Sequence, residues 1–424
     1  MLKFTRGRMV GLTLATIGVA TVAISGASAQ PKAAPSPMSG QIRIVSHTAT
    51  KASMDALIHN FAIAYPNIKV DIQYLPTGAA LNTGLLSMIN SGNAPDIFFS
   101  HPSPAGDVAS APLAKAGKLL DLSKQPFVKR IPKVDKAFFT VNGKVWDEPI
   151  YKVASGMAID LTTFKQNGWK APTTFGQVLT LCDKAKAAGG TLFAFAGQVT
   201  AEGVLNSMGA TYVFSKDPHW LQKKAQGKVS FSSSPLWANL FQHVIAMRDR
   251  GCFQPGWQAA GVPTLGQMIA QHKAFAALVP SAALSTYKNL APNDQFAVVP
   301  FPGDRPSDTR GMMGYNFGLA VSANTPNKAA ALAFINFAGR EGQSKLQAKI
   351  NGSASLHQVN TGQLPEALAA YAPFIKAGKI VARADAQFPT STTNTNFNTV
   401  AGEILINGKS IPDALKLLDD TWGK

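Results

Sequence analysis

Apolar and polar residues alternate through Ile68-Lys69-Val70-Asp71-Ile72-Gln73-Tyr74, the period-two pattern of a strand with one buried face. The period then changes. Leu81, Leu85, Met88 and Ile89 recur at helical spacing, and Gly92-Asn93 supplies residue types that tolerate the left-handed end of a helix. A second apolar run, Ile97-Phe98-Phe99, passes into the polar, proline-punctuated Ser100-His101-Pro102-Ser103. Upstream, Ile42-Arg43-Ile44-Val45 predicts a short strand, and Met54, Leu57, Ile58, Phe61 and Tyr65 mark one face of a helix that Pro66 stops. These are consecutive strand–helix–strand units, and right-handed crossovers between them lay the strands side by side in a parallel sheet. The strand ends Ser46-His47-Thr48 and Ser100-His101-Pro102-Ser103 then open on one carboxyl edge, where open α/β sheets hold ligands.

Residues 1–29 carry Lys3, Arg6 and Arg8, an apolar stretch from Met9 to Ile24, and Ala27-Ser28-Ala29 before Gln30. This order predicts a secretory signal with an Ala-x-Ala cleavage site and a mature chain that begins at Gln30. The two cysteines, Cys182 and Cys252, lie far from that site, so an exported protein without a lipid anchor is expected. Removing the first 29 of 424 residues leaves 395, more than one hydrophobic core holds, and two lobes are predicted behind a disordered lead of residues 30–39. No later apolar run is long enough to span a bilayer, and there is no internal repeat.

The formal net charge of +17 falls to +14 when Lys3, Arg6 and Arg8 leave with the signal. A nucleic-acid surface would gather such charge on one stripe with aromatics between. Here the densest group, Lys129, Arg130, Lys133 and Lys136, sits in a proline-containing connector and reads as a solvated face, so no nucleic-acid partner is expected. Cys182 falls in a helix predicted over Phe175–Ala188, and Cys252 follows one predicted over Trp237–Arg250. In an oxidising compartment the pair reads as one disulfide, the alternative being two buried thiols.

Enzyme chemistry is not legible. The chain has no His-Glu-x-x-His, Cys-x-x-Cys, Gly-x-Ser-x-Gly or Gly-x-Gly-x-x-Gly, and Asn407-Gly408-Lys409-Ser410 lacks the first glycine of a phosphate loop because Glu403 stands there. The seven histidines show no ligand-like spacing, so neither a metal nor a cofactor is expected. His47 and His101, just past strand ends, read equally as partners for a bound hydroxyl or as loop histidines in water. Asp147 and Glu148 are adjacent and precede Pro149, so their side chains diverge, whereas glycoside hydrolysis needs two carboxyls facing one bond. The expectation is a non-enzyme. A secreted carbohydrate-active enzyme stays as the rival class, because residues distant in sequence can converge.

Tyr65-Pro66-x-Ile68-x-Val70 followed by Gly92-x-Ala94-Pro95-Asp96-Ile97 resembles the extracellular solute-binding proteins of ABC importers, the family 1 group of maltose-binding-protein-like sugar binders. Gly143 to Ile150, Ala270 to Ser281, Gly314 to Ser322 with Asn327 to Phe337, and Ile404 to Leu418 resemble later segments of that family in order. The resemblance implies an α/β, two-lobed periplasmic-binding-protein fold of type II, each lobe a mixed, mostly parallel sheet flanked by helices, with a hinge between lobes. It implies crossings near 150–153, 298–302 and 338–355, a first lobe of 40–150 plus 303–340, and a second of 154–300 plus 355–424.

Positions that match the family's cleft are His47, Thr48, Ser100, His101 and Ser103 from the first lobe, and Gly314, Tyr315 and Asn316 from the return strand. Tyr151 lies near the first crossing, and Ser281, Phe388, Thr390 and Phe397 come from the second lobe. Tyr151, Tyr315 and Phe397 are candidate stacking platforms, each with ordinary core packing as the alternative. Ser100 and Ser281 stand where sugar binders of the family often carry tryptophan, which implies a smaller polar cleft for a monosaccharide, disaccharide or polyol. A glycerol phosphodiester or another small polar or anionic solute is the alternative. The implied partners are that solute and the inner-membrane permease subunits, and the implied state is a periplasmic monomer.

Overall fold

The computed structural model describes residues 36–423, apart from 77–78, 103–105, 107, 133–134, 198–200 and 316–317. The expected signal, its cleavage site and the candidates Ser103 and Asn316 lie outside the described residues. In chain order the strands are β1 (Gly40–His47), β2 (Ile68–Leu75), β3 (Ile97–Ser100), the short pair β4 (Thr140–Val141) and β5 (Lys144–Val145), β6 (Asp147–Pro149) and β7 (Lys152–Asp160). They continue as β8 (Thr191–Ala194), β9 (Ala274–Pro280), β10 (Phe296–Val299), β11 (Gly311–Tyr315), β12 (Gly318–Val321) and β13 (Ile380–Val381).

The first lobe is built on the sheet β2-β1-β3-β12-β6. β1 pairs in parallel with β2 and β3, as consecutive strand–helix–strand units require, so that Ile44 stands beside both Ile72 and Ile97. The helix Lys51–Ala64 buries Met54, Leu57 and Phe61 against this sheet and ends before Pro66, while Gly92, at φ 78°, takes the left-handed conformation after the helix Ala79–Asn90. β12 runs antiparallel to β3 and β6 because it enters from the other lobe. The lead is ordered from Ser36, whose amide donates to the Ala64 carbonyl at 2.9 Å, so the expected disorder of 30–39 does not reach that residue.

The second lobe holds the sheet β13-β11-β7-β9-β8, with β10 also on β7. β7 is buried along its whole length: Met157 and Ile159 enter one apolar cluster, and Ala154 and Ala158 enter another on the opposite face. The chain passes from the first sheet to the second through Ile150-Tyr151, and returns between Tyr315 and Gly318. The passage expected near 298–302 is therefore displaced. β10 and β11 both pair with β7, and Phe301 is buried in the second lobe's core, so 303–315 belong to the second lobe. Beside the first crossing, Ala354 exchanges two backbone hydrogen bonds with Lys152.

Cys182 and Cys252 are bonded, with Cα atoms 4.9 Å apart and both residues fully buried. The bridge joins the helix Phe175–Ala187 to the end of the helix Pro235–Asp249, and the Cys252 carbonyl accepts from the Phe193 amide of β8. Among the described residues no helix is long and apolar enough to cross a membrane.

Candidate functional site

The sheet registers gather most of the predicted residues at one boundary. Ser100 at the end of β3 stands beside Gly318, which stands beside Pro149, so β1, β3 and β6 all present their carboxyl ends where the chain leaves for the second lobe. On the far side, Lys152 pairs with Tyr315 and Ser155 pairs with Pro280. This brings the start of β7 and the ends of β9 and β11 to the same place. His47, Thr48, Ser100, His101, Tyr151, Ser281, Gly314 and Tyr315 therefore all lie at the lobe boundary. It opens on a groove of about 1230 Å³ lined by Thr48 and Lys51 of the first lobe, Tyr151 at the crossing, and Ser285, Asn289 and Gln295 of the second.

His47 and His101 bracket one ring: each meets Phe99 edge-on, at 4.5 and 4.8 Å between centroids. Burial, with a smaller contribution from His101, lowers the His47 pKa to about 4, so its imidazole is neutral near pH 7 and carries one donor and one acceptor nitrogen.

Behind Ser100 lies an unusual pair of buried carboxyls. Asp147 and Ser100 are fully buried, with the Ser100 and Ser110 hydroxyls beside the Asp147 carboxyl. Burial pushes Asp147 up to about 6, partly offset by the nearby Ser110 and Ser100 hydroxyls, and pushes Glu148 up to about 8, partly offset by Arg130. A carboxyl whose pKa is higher in the folded state binds its proton more tightly there, so stability falls as pH rises from the unfolded value near 4 through the folded values. Unfolding midpoints in urea are thus expected to decline between about pH 4 and about pH 8 through these two groups. Glu148→Gln should flatten the upper part of that decline, and a variant with the unaltered pH profile would refute the assignment.

Several predicted contacts turn out to be structural. Tyr315 is only 5% exposed; its hydroxyl donates to Asp135 Oδ2 at 2.8 Å, and Lys152 Nζ lies 5.0 Å from its ring centroid. Tyr151 is likewise buried at the crossing, so neither tyrosine offers an open stacking face in this conformation. Ser281 is fully buried, and its Oγ accepts from the Ala154 amide at 3.2 Å, tying β9 to β7. Gly314 is glycine for a packing reason: a Cβ there would fall 2.6 Å from Arg383 Cγ. Phe388 and Phe397 sit in the second lobe's core, Phe388 against Trp422 and Phe397 against Trp237 and Phe241. Thr390 caps the helix Ser391–Leu405, accepting from the Thr393 amide. These three residues shape the second lobe: the two rings are packed on Trp422, Trp237 and Phe241, and the threonine caps a helix.

The boundary also holds charged groups that the sequence pattern did not single out. Asp135 and Lys152 form a buried ion pair at 2.6 Å that joins the connector of the first lobe to the start of β7. Arg383 is buried with Glu202 and Asp385 on either side. No local motif marks them, because the partners are far apart in sequence. The hint available was Arg383-Ala384-Asp385, opposite charges two residues apart just ahead of Phe388.

Two sheets joined by crossing strands, with a groove lined from both sides between them, define a two-lobed protein. The chain matches the bacterial extracellular solute-binding protein family over residues 45–345, and it belongs to that family. It is 24% identical over 291 residues to the multiple sugar-binding protein of Streptococcus mutans, covering 68% of this chain and 67% of that protein. Its fold is similar to RafE of Streptococcus pneumoniae in complex with raffinose, with a TM-score of 0.73 at 20% identity over 90% of this chain and 98% of RafE. It is also similar to a sugar transporter from Bacillus licheniformis in complex with stachyose, with a TM-score of 0.68 at 18% identity over 90% of this chain and 99% of that one. The fold is the type II solute-binding fold of these structures.

Proposed function

We propose that this protein is the substrate-binding component of an ABC importer, exported as a soluble monomer, and that it captures a carbohydrate between its lobes and hands it to membrane permease subunits. The observation that carries this reading is the lobe boundary itself. Two crossings join the sheets beside one groove lined by Thr48, Lys51 and Asp55 of the first lobe and by Ser285, Asn289 and Gln295 of the second, so a ligand that touches both lobes favours a closed form over an open one. The sugar class is supported by the names of its relatives, a multiple sugar-binding protein and structures holding raffinose and stachyose. The groove of about 1230 Å³ has room for an oligosaccharide, so the ligand class extends beyond the mono- and disaccharides that Ser100 and Ser281 suggested.

The test is a thermal-shift screen with raffinose, stachyose, maltotriose and glycerol, followed by small-angle scattering with any hit. A bound sugar at a hundredfold excess over its dissociation constant stabilises the fold by about 2.7 kcal/mol, which appears as a raised melting temperature. Closure appears as a smaller radius of gyration. Absence of a shift with every sugar would overturn the carbohydrate reading, and product accumulating in proportion to protein would replace it with the hydrolase.

A further inference from the structure

Three chain segments meet at one end of the second lobe's sheet. Asp160 closes β7, His272 stands two residues before β9, and Asp294 stands two residues before β10. The registers bring them together, because Asp160 pairs with Phe296 of β10 and Ile159 pairs with Ala276 of β9. One ligand atom from each of the three side chains lies within 4.8 Å of the other two. His272 Nδ1 is 3.2 Å from Asp160 Oδ2, and His272 Nε2 is 3.6 Å from Asp294 Oδ2. No spacing in the chain marks the group, since Asp160 and His272 are 112 residues apart.

The three positions are held from behind. Asp160 is buried, and its carboxylate accepts from the Thr163 amide at 3.1 Å and from the Thr163 hydroxyl. His272 takes the left-handed conformation, at φ 52°, in a turn whose closing bond runs from its amide to the Ile269 carbonyl at 2.9 Å. The Asp294 amide donates to the Ala291 carbonyl at 3.1 Å, and its own carbonyl accepts from Lys288 Nζ at 2.8 Å. The Asp294 carboxylate stands apart from that frame. The residue is only 9% exposed, yet its carboxylate accepts no hydrogen bond among the described residues and faces His272. A buried carboxylate short of donors is costly unless a cation meets it. The way in is past His272, whose side chain is 49% exposed.

We propose that Asp160, His272 and Asp294 bind a divalent transition-metal ion of the zinc class, with water completing its shell, and that the ion clamps the end of β7 to the turns ahead of β9 and β10. Zinc takes imidazole nitrogen and carboxylate oxygen at about 2.0 to 2.2 Å, which sets neighbouring ligand atoms of a tetrahedron about 3.3 Å apart. The two distances from the imidazole lie on either side of that value. One ion uses one ring nitrogen, so a swing of the half-exposed imidazole turns that nitrogen toward both oxygens. Calcium wants about six to eight oxygen ligands and finds two carboxylates here, whereas an imidazole beside them suits zinc. Asp294 and Gln295 also line the groove, so the clamp stiffens its margin whichever solute binds there.

The test is zinc binding by the exported protein after dialysis against a chelator, read by metal analysis at equilibrium and by thermal unfolding, with calcium and magnesium alongside. One zinc per chain and a raised melting temperature are expected, with no rise from calcium or magnesium. Losing an outer partner of a metal ligand already weakens binding about 10- to 100-fold, so Asp294→Asn and His272→Asn are each expected to weaken zinc binding by about 100-fold or more. Asparagine tolerates the left-handed turn that His272 occupies, so the second variant keeps the backbone. His357→Ala is the control: His357 Nε2 lies 3.0 Å from Glu341 Oε1 in a partly exposed pair, and its loss should leave the stoichiometry unchanged. If neither site variant folds, cobalt(II) on the unaltered protein decides, with a visible absorption band expected that one equivalent of zinc abolishes. No bound zinc, an equal rise with calcium, binding that both site variants retain, binding that disappears with His357→Ala, or a cobalt spectrum of the hydrated ion overturns the site.

Discussion

Replacing Cys182 and Cys252 together with alanine is expected to lower the unfolding free energy by about 4 kcal/mol, because the bridge spans 70 residues and releasing it returns that loop's entropy to the unfolded chain. The loss should appear as a lower guanidinium midpoint and should be reproduced by adding reductant to the unaltered protein. Ligand affinity should not change, since the bridge ties two helices to β8 within the second lobe and no bond of it reaches the crossings. A midpoint unmoved by reductant would show that the bridge contributes nothing to stability.

Phe397→Ala is expected to cost about 3 to 5 kcal/mol, the range for removing a buried ring from a core that cannot collapse around the hole. The ring is fully buried, with Trp237 and Phe241 each 5.9 Å away between centroids. Thermal unfolding and ligand titration on the same sample separate its two possible roles. Core packing predicts a large fall in melting temperature with affinity retained by the folded fraction. A stacking platform predicts the reverse, and that outcome would return Phe397 to the site.

These two experiments bear on residues whose environment sequence could not supply. A helix carrying Phe397 is legible, yet whether that face meets a sugar or Trp237 depends on how the helix Pro235–Asp249 packs beside it. Tyr315 is a similar case. Its place just before the return to the first lobe follows from the residues around it, but its hydroxyl is taken by Asp135, 180 residues earlier in the chain. The second crossing was misplaced for a related reason: a strand's period marks its buried face without naming its neighbour, and β11 joins β7 instead of entering the first sheet.

By itself the sequence determined what repeats locally: the strand–helix–strand units of the first lobe, the helix end at Gly92, and the carboxyl edge that carries His47, Ser100 and His101. Each follows from hydrophobic period and backbone preference over a few consecutive residues. Only the tertiary structure decided which polar groups meet. Glu202, Arg383 and Asp385 become one charged cluster, and Asp135 and Lys152 one ion pair, because buried charges must find a partner wherever the fold brings one close, and that distance in space leaves no period in the chain.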